Sequence, residues 1–280
     1  MQIATWNVNS VRSRLEQVVA WLERESPEVL CLQETKVDDG AFPMEAFTAL
    51  GYTGVISGQK AYNGVAILSR LPLEDVRLGF DALLSDEAAL ALAEQKRVIS
   101  ARIEGVRVLN LYVPNGSSLR SDKYSYKLEW LACLRRYLDA QDNDGDPLCM
   151  VGDFNIALDD RDIHDPKRLS GGIMASEAER QALSLALDGR LEDVFRVFEP
   201  ESGHWSWWDY RSGAWDRDSG WRIDHIYLCE ELRERATGCV IHKAVRGNEK
   251  PSDHAPVVVT LQWPPEGDDA EELDCDSWVA

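Results

Sequence analysis

Glu34, Asp153, Asp224 and Asp253 share one placement with a set of amides, a phenol and an imidazole: each ends, follows or precedes an apolar run rich in Val, Ile and Leu. Asn7 and Asn9 close the run that starts at Ile3, and Glu34 follows Val29-Leu30-Cys31-Leu32-Gln33. Tyr112 and Asn115 close Val108-Leu109-Asn110-Leu111-Tyr112-Val113-Pro114-Asn115, and Asp153 and Asn155 follow the run 148–152. Asp224 sits in Trp221-Arg222-Ile223-Asp224-His225, and Asp253-His254 precede the last apolar run. If these ends converge, oxygen donors dominate and sulfur is absent, a set that suits magnesium, with manganese as a substitute. Four carboxylates alone would repel an anionic ester such as a phosphodiester, so a divalent cation is needed to reverse the local field. Taken singly, an Asp or Asn after a strand is a turn former or a helix cap. Coincidence across five strand ends is what points to chemistry. His254, between Asp253 and Ala-Pro-Val-Val-Val, reads as a catalytic base or a phosphate contact.

The elements that must position these residues alternate between strand-like and helical patterns along the whole chain, the mark of an α/β fold. Strands are expected over 2–8, 28–32, 64–69, 97–103, 106–113, 148–152, 222–228 and 255–261, and helices over 11–24, 122–138 and 176–187. Glu104-Gly105, between two strand runs, reads as a tight hairpin, so the sheet is mixed. No linker or short repeat divides the chain, which predicts one catalytic domain over 1–263. Residues 264–280 combine Pro, Gly and acidic residues and read as a flexible acidic tail.

The composition, 44% hydrophobic and 28% charged, is that of a globular protein rather than a disordered or fibrous one. No targeting or membrane segment is visible, so a cytoplasmic protein without membrane attachment is expected. The six cysteines are scattered, without a C-x-x-C pair or zinc-ligand spacing, and read as reduced core residues. A formal charge of −19 runs against the basic footprint of a nucleic-acid binder. The excess is uneven: seven acidic residues and no basic one lie in the tail, and Asp139, Asp142, Asp144 and Asp146 form another block. A locally basic groove is compatible with that distribution.

Gln33-Glu34-Thr35-Lys36, Gly152-Asp153-Phe154-Asn155, Ser206-Trp207-Trp208-Asp209-Tyr210-Arg211, Arg222-Ile223-Asp224 and Pro251-Ser252-Asp253-His254-Ala255-Pro256 together resemble the exonuclease III family of the endonuclease/exonuclease/phosphatase superfamily. The likeness runs in order from Met1 to about Trp263. It implies a four-layer α/β sandwich, two mixed β-sheets face to face with helices outside, and a magnesium-dependent monomer acting on double-stranded DNA with abasic sites or recessed 3′ ends in base excision repair. It also implies roles. Glu34 would be the main metal ligand, with Asn7 and Asp253 beside it, and Asp153, Asn155 and His254 able to hold a second ion. Asp153 would activate the water or protonate the leaving 3′ oxygen, Asn155 would orient it, Tyr112 would contact the phosphate or leaving group, and Asp224 would orient His254.

The tryptophan-rich segment extends the resemblance to damage recognition. Trp207, Trp221 and Ile223 would line a small apolar pocket beside Asp224, whereas alternation points Trp208 into the core. Arg211, Lys123 and Asn115 are further DNA-side candidates, and Lys36, Lys60, Arg97, Lys127, Arg222 and Lys250 suit a long polyanion. Residues 173–180, Ile-Met-Ala-Ser-Glu-Ala-Glu-Arg, depart from the family's pattern before a helix. Two rivals remain: a superfamily phosphodiesterase for a phospholipid or inositol phosphate, and a DNA-binding relative without catalysis.

Overall fold

The computed structural model describes residues 1–264, so the expected tail, from residue 265 on, lies outside the described residues. Twelve strands occur among them: β1 (Gln2–Asn7), β2 (Val29–Gln33), β3 (Thr53–Ser57), β4 (Val65–Ser69), β5 (Glu74–Leu78), β6 (Val98–Ile103), β7 (Val106–Tyr112), β8 (Leu148–Asp153), β9 (Glu192–Asp193), β10 (Asp224–Leu228), β11 (Ala236–Ile241) and β12 (Val257–Leu261). They form two six-stranded sheets, in the orders β11-β12-β1-β2-β4-β3 and β5-β6-β7-β8-β10-β9. Each is mixed: β1 runs parallel to β2 and antiparallel to β12, and β7 runs parallel to β8 and antiparallel to β6.

Alternation within the strands explains the layers. Ile3, Val29, Cys31, Ile67 and Val259 of one sheet meet Ile99, Ala101, Val108, Val151 and Ile226 of the other in a buried core between them. The opposite side chains of the first sheet, Ala4, Trp6, Leu30 and Leu68, pack on Val18, Trp21 and Leu22 of the helix Leu15–Glu25. On the outer face of the second sheet, Leu109, Leu111, Met150 and Tyr227 meet Trp130, Leu131, Leu134 and Tyr137 of the helix Asp122–Gln141, with Leu183 and Ala186 of the helix Glu177–Leu187 beside them. These are the four layers expected. With both faces covered, the central strands read as continuous apolar runs.

The hairpin at Glu104-Gly105 is present, with φ values of 49° and 76° on the two turn residues and Ile103 opposite Val106; two left-handed residues match the twist of the strands they join. Elsewhere the boundaries move. The first helix starts at Leu15 rather than residue 11, because the amides of Ser10 and Val11 bond the carbonyls of Glu34 and Thr35. β10 starts at Asp224 rather than Arg222, whose amide goes to Asp162. The strands β3, β5, β9 and β11 were not expected; each lies at a sheet edge, where one flank faces no strand and an apolar pattern is not required. The cysteines within the described residues are free, with Cys31, Cys133, Cys149 and Cys239 buried and Cys229 half-buried, whereas Cys275 lies outside them. The acidic block at the end of the helix Asp122–Gln141 and just beyond it is matched locally: Arg190 pairs with Asp139 and Asp142, Arg77 with Asp144, and Arg107 with Asp146.

Candidate active site

Topology brings the chemistry-bearing residues to one end of the sandwich. β1, β2, β7 and β8 all end there, at Asn7, Gln33, Tyr112 and Asp153, and the antiparallel β10 and β12 begin there. Within the ladder, Tyr112 lies opposite Asp153 and Asp153 opposite Asp224, so three functional side chains share one level of adjacent strands. Close contact between β7 and β8 depends on Gly152: a Cβ there would stand 2.0 Å from the Leu111 carbonyl oxygen. Between the sheets, Gln33 donates to Thr5 at 2.9 Å and to Asn110 at 2.7 Å, and Asn110 donates to the carbonyls of Leu32 and Ala66. This buried amide pair fixes the second sheet against the first just below the site.

Asn7 is the hub: its amide nitrogen donates to Glu34 at 2.9 Å and to Asp153 at 2.8 Å. Asp153 Oδ2 lies 3.7 Å from Nε2 of His254, whose Nδ1 lies 2.9 Å from Asp224. A carboxylate only accepts, so Nδ1 carries the proton. Ser206, with no exposed surface, donates to Asp224 Oδ2 at 2.6 Å and accepts the amides of Ile223 and Asp224. One ligand atom each from Glu34, Asp153 and His254 lies within 4.8 Å of the others. Asn7, expected as a ligand, instead donates its amide nitrogen to both carboxylates while its oxygen accepts the Asn9 N–H. The two carboxylates at this spacing offer oxygen ligands to a hard divalent cation, and their mutual repulsion is what such an ion would relieve. Lys36 meets part of that need from outside, with its ammonium 2.7 Å from Glu34 and 2.6 Å from Asn9. Asp253 stands apart from this triad, accepting from Asn9 at 3.0 Å and from the Trp207 indole at 2.9 Å. Asn155 turns its amide to the Val113 carbonyl and its oxygen to Asn115.

Electrostatics sets the groups apart. Burial raises the pKa of Asp153 to about 7, with Asp224 and Glu34 adding to the shift and His254 and Asn7 opposing it. Burial works against a charged His254, but Asp224 and Asp153 overcome it and lift the imidazole to about 10. Burial also acts to raise Glu34, and Lys36 and Asn7 outweigh it and keep the group below the usual carboxylate range. Burial, then Glu34, pushes the Tyr112 phenol well up, so it keeps its proton. Arg97 stacks on that phenol with its guanidinium carbon 4.5 Å from the ring centre.

A profile of the endonuclease/exonuclease/phosphatase family matches residues 4–254. The chain belongs to that family. Exodeoxyribonuclease III of Haemophilus influenzae is 36% identical to it over 269 residues, which cover 92% of this chain and 98% of that protein. Among solved structures, a 3′ phosphatase from Neisseria bound to a product DNA hairpin superposes with a TM-score of 0.87 at 40% identity, covering 94% of this chain and all (100%) of that one. An AP endonuclease from Archaeoglobus fulgidus superposes equally well, with a TM-score of 0.87 and 40% identity over 94% of this chain and 99% of that one. Family members of equal likeness thus carry names for different activities, and the balance between them has to be sought in this chain's own residues.

Away from Glu34, Asp153, Asp224 and Asp253, the expected DNA-side residues divide. Trp207, Trp221 and Ile223 share one apolar cluster with Ile163, Ile173 and Met174, but Trp221 is 7% and Ile223 1% exposed; they are packed walls, and Trp207 is the half-buried member. Trp208 is fully buried, as its alternation with Trp207 requires. Lys123 and Asn115 line a cavity of about 730 Å³ beside Tyr112, together with Arg97, Tyr62 and Tyr126. Arg211 points to solvent, its nearest acidic partner being Asp209 at 3.6 Å. Two of the cations grouped as suited to a polyanion cannot reach one. Arg222 is buried between Asp162 and Asp193, and Lys127 is buried against Glu179. Lys127 is set on the apolar face of its helix, three, four and seven residues before Trp130, Leu131 and Leu134, a spacing visible in the sequence. Ser206 was missed because a lone Ser between aromatic residues carries no pattern.

Proposed function

We propose that this protein is a magnesium-dependent DNA phosphodiesterase that trims 3′ ends and nicks at abasic sites, leaving a 3′-hydroxyl and a 5′-phosphate, and that it works as a monomer. It is a nuclease enzyme by family and by its exodeoxyribonuclease III relatives. The observation that carries the finer reading is the row of polar contacts from buried Ser206 through Asp224 and His254 to Asp153, 3.7 Å from His254, and by way of Asn7 to half-buried Glu34. Glu34 and Asp153 would hold the ion, which would supply Lewis-acid stabilisation of charge on the phosphoryl oxygens; Asn7, donating to both carboxylates, would position them. His254, kept charged by Asp224, presents Nε2 as a donor to a non-bridging oxygen. Asp153, buried between Asn7 and Nε2 of His254, is placed to take the proton of the attacking water and return it to the leaving oxygen. The protonated Tyr112 hydroxyl donates to the phosphate or to the leaving group from the other side. Lys123 and Arg97 supply local positive charge in the cavity beside Tyr112 despite the acidic surface elsewhere.

A labelled duplex series tests this: an abasic site, a recessed 3′ end and a 3′-phosphate, each incubated with magnesium and with chelator. Cleavage that needs the ion is expected on the first two. Turnover of a lipid or inositol phosphate without cleavage of any duplex would replace the reading by its rival within the superfamily.

A further inference from the structure

Lys127 and Glu179 each have a side chain with 0% exposure, and the Lys127 ammonium lies 2.6 Å from Glu179 Oε1. An ammonium has three protons to place. The other two go to backbone carbonyls, Asn155 at 2.7 Å and Asn115 at 3.3 Å, which belong to the loops that leave β8 and β7 at the site. Glu179 is equally committed. Its Oε1 also accepts the Met174 amide at 3.1 Å, and its Oε2 accepts the amide and the hydroxyl of Ser176 at 3.0 and 2.6 Å. One ion pair therefore ties together the Asn115 loop, the Asn155 loop and the segment that carries Met174 to the start of the helix Glu177–Leu187.

Stability is a poor reason for such a pair. Taking two ions out of water costs several kcal/mol each, and an apolar pair of similar volume is often as stable. Geometry is a better one. Asn155 adopts a left-handed φ of 50°, with its amide N–H on Asp153 Oδ1 at 2.9 Å and its side chain bridging Val113 and Asn115. Met174, with φ of 67°, packs in the cluster that holds Trp221 and Ile223. Both strained turns hang on the pair, one through Lys127 and one through Glu179.

We propose that Lys127 and Glu179 are positioning residues that hold the Asp153–Asn155 turn in register with the Met174 wall of the apolar cluster. The inference rests on the phosphodiesterase reading above. Neither residue touches substrate; they act by fixing the groups that do, and displacement of such groups by about 1 Å costs on the order of 100-fold in rate.

The test compares wild type, Lys127→Met and Lys127→Met/Glu179→Gln on abasic and recessed 3′-end duplexes with saturating magnesium. Lys127→Met leaves a buried unpaired carboxylate and risks misfolding; the double variant removes that charge, and near-UV circular dichroism at the assay temperature confirms its packing. For the folded double variant, kcat is expected to fall on the order of 100-fold on both duplexes, with KM and magnesium affinity, read by calorimetry, within about threefold of wild type. A pair that merely stabilises the fold would leave kcat of the folded fraction unchanged. A folded double variant with near-wild-type kcat overturns the proposal, as does a loss carried by KM or by metal affinity. Wild type inert on every duplex would overturn the nuclease reading and this one with it, whereas with an active wild type a failure of the double variant to lose kcat overturns the role of the pair alone.

Discussion

Nδ1 of His254 lies 2.9 Å from Oδ2 of Asp224, and that oxygen also accepts the Ser206 hydroxyl at 2.6 Å. Asp224 therefore has one orientation, and His254 can present only Nε2 to the site.

The pH profile of cleavage follows from these contacts. On the proposed mechanism, cleavage uses Asp153 ionised and His254 charged. It is expected to rise as Asp153 ionises, at a pH below the value of about 7 that burial and the neighbouring carboxylates set without an ion, and to fall as pH passes the His254 value of about 10. Bound magnesium favours the ionised carboxylate, so the rising limb should move to lower pH as the ion concentration is increased. Asp224→Asn removes the leading charge that lifts His254, and the falling limb should move to lower pH. Initial rates from pH 5 to 11 on one duplex would check all three; a falling limb unmoved in Asp224→Asn would remove Asp224 from its role.

Glu34→Ala and Asp153→Asn are expected to lower kcat by different routes. Loss of Glu34 removes a carboxylate from the candidate metal site and should raise the magnesium concentration needed for half-maximal rate. Loss of the Asp153 carboxylate removes the proposed proton acceptor, an effect worth roughly 100- to 10,000-fold. Neither side chain itself touches phosphate, so DNA affinity by fluorescence anisotropy in the presence of chelator should survive both. A variant with near-normal turnover would take that residue out of the mechanism.

Asp162 governs stability in acid. It is fully buried, bonds the Arg222 guanidinium at 2.7 Å and also pairs with Arg196. Burial opposes its charge, yet Arg222 and the neighbouring cations pull its pKa from 3.8 to about 2. A carboxyl with a lowered folded pKa contributes stability that is present above the unfolded value and lost as pH falls through the folded one. About 2 kcal/mol should therefore disappear between roughly pH 5 and pH 1. Urea melts of wild type and Asp162→Asn at pH 6 and pH 2 should differ most at pH 6.

Much of this was legible because covered sheets demand apolar strands. β1, β2, β7 and β8 announce themselves by runs of Val, Ile and Leu, and their polar ends, Asn7, Glu34, Tyr112 and Asp153, then fall at one edge. β5 was not legible: its residues are Glu74-Asp75-Val76-Arg77-Leu78, mostly exposed, and its pairing partner rather than its own pattern makes it a strand. Lys127 shows the opposite failure. Its charge suggested a surface, although its helical spacing from Trp130, Leu131 and Leu134 placed it inside. Spacing, not residue type, was the reliable signal there.

Selectivity for damage should depend on the ring of Trp207. Trp221 and Ile223 are packed against Ile163 and Met174, so truncating either opens a core, and a Trp→Ala change of that kind costs about 3–5 kcal/mol of stability. Trp207 is half-buried, pairs through its backbone with Trp221 and His254, and donates its indole N–H to Asp253 at 2.9 Å. It has two separable parts, an apolar face and a hydrogen bond that helps keep Asp253 ionised. Trp207→Phe removes the second and keeps the first, and Trp207→Ala removes both. An abasic sugar has no base to unstack, whereas extruding a normal nucleotide costs a few kcal/mol and brings a bulkier group to the same wall. The apolar face should therefore matter most for the extruded abasic sugar and least at a recessed 3′ end, which frays without full extrusion. Trp207→Phe is expected to slow both substrates alike, and the further step to Ala to slow abasic cleavage at least about tenfold more than 3′-end trimming. Single-turnover rates of the three proteins on the two duplexes decide the matter, with thermal melts to confirm folding. An equal step from Phe to Ala on both substrates would make Trp207 a packing residue and move the search for selectivity to the cavity beside Tyr112.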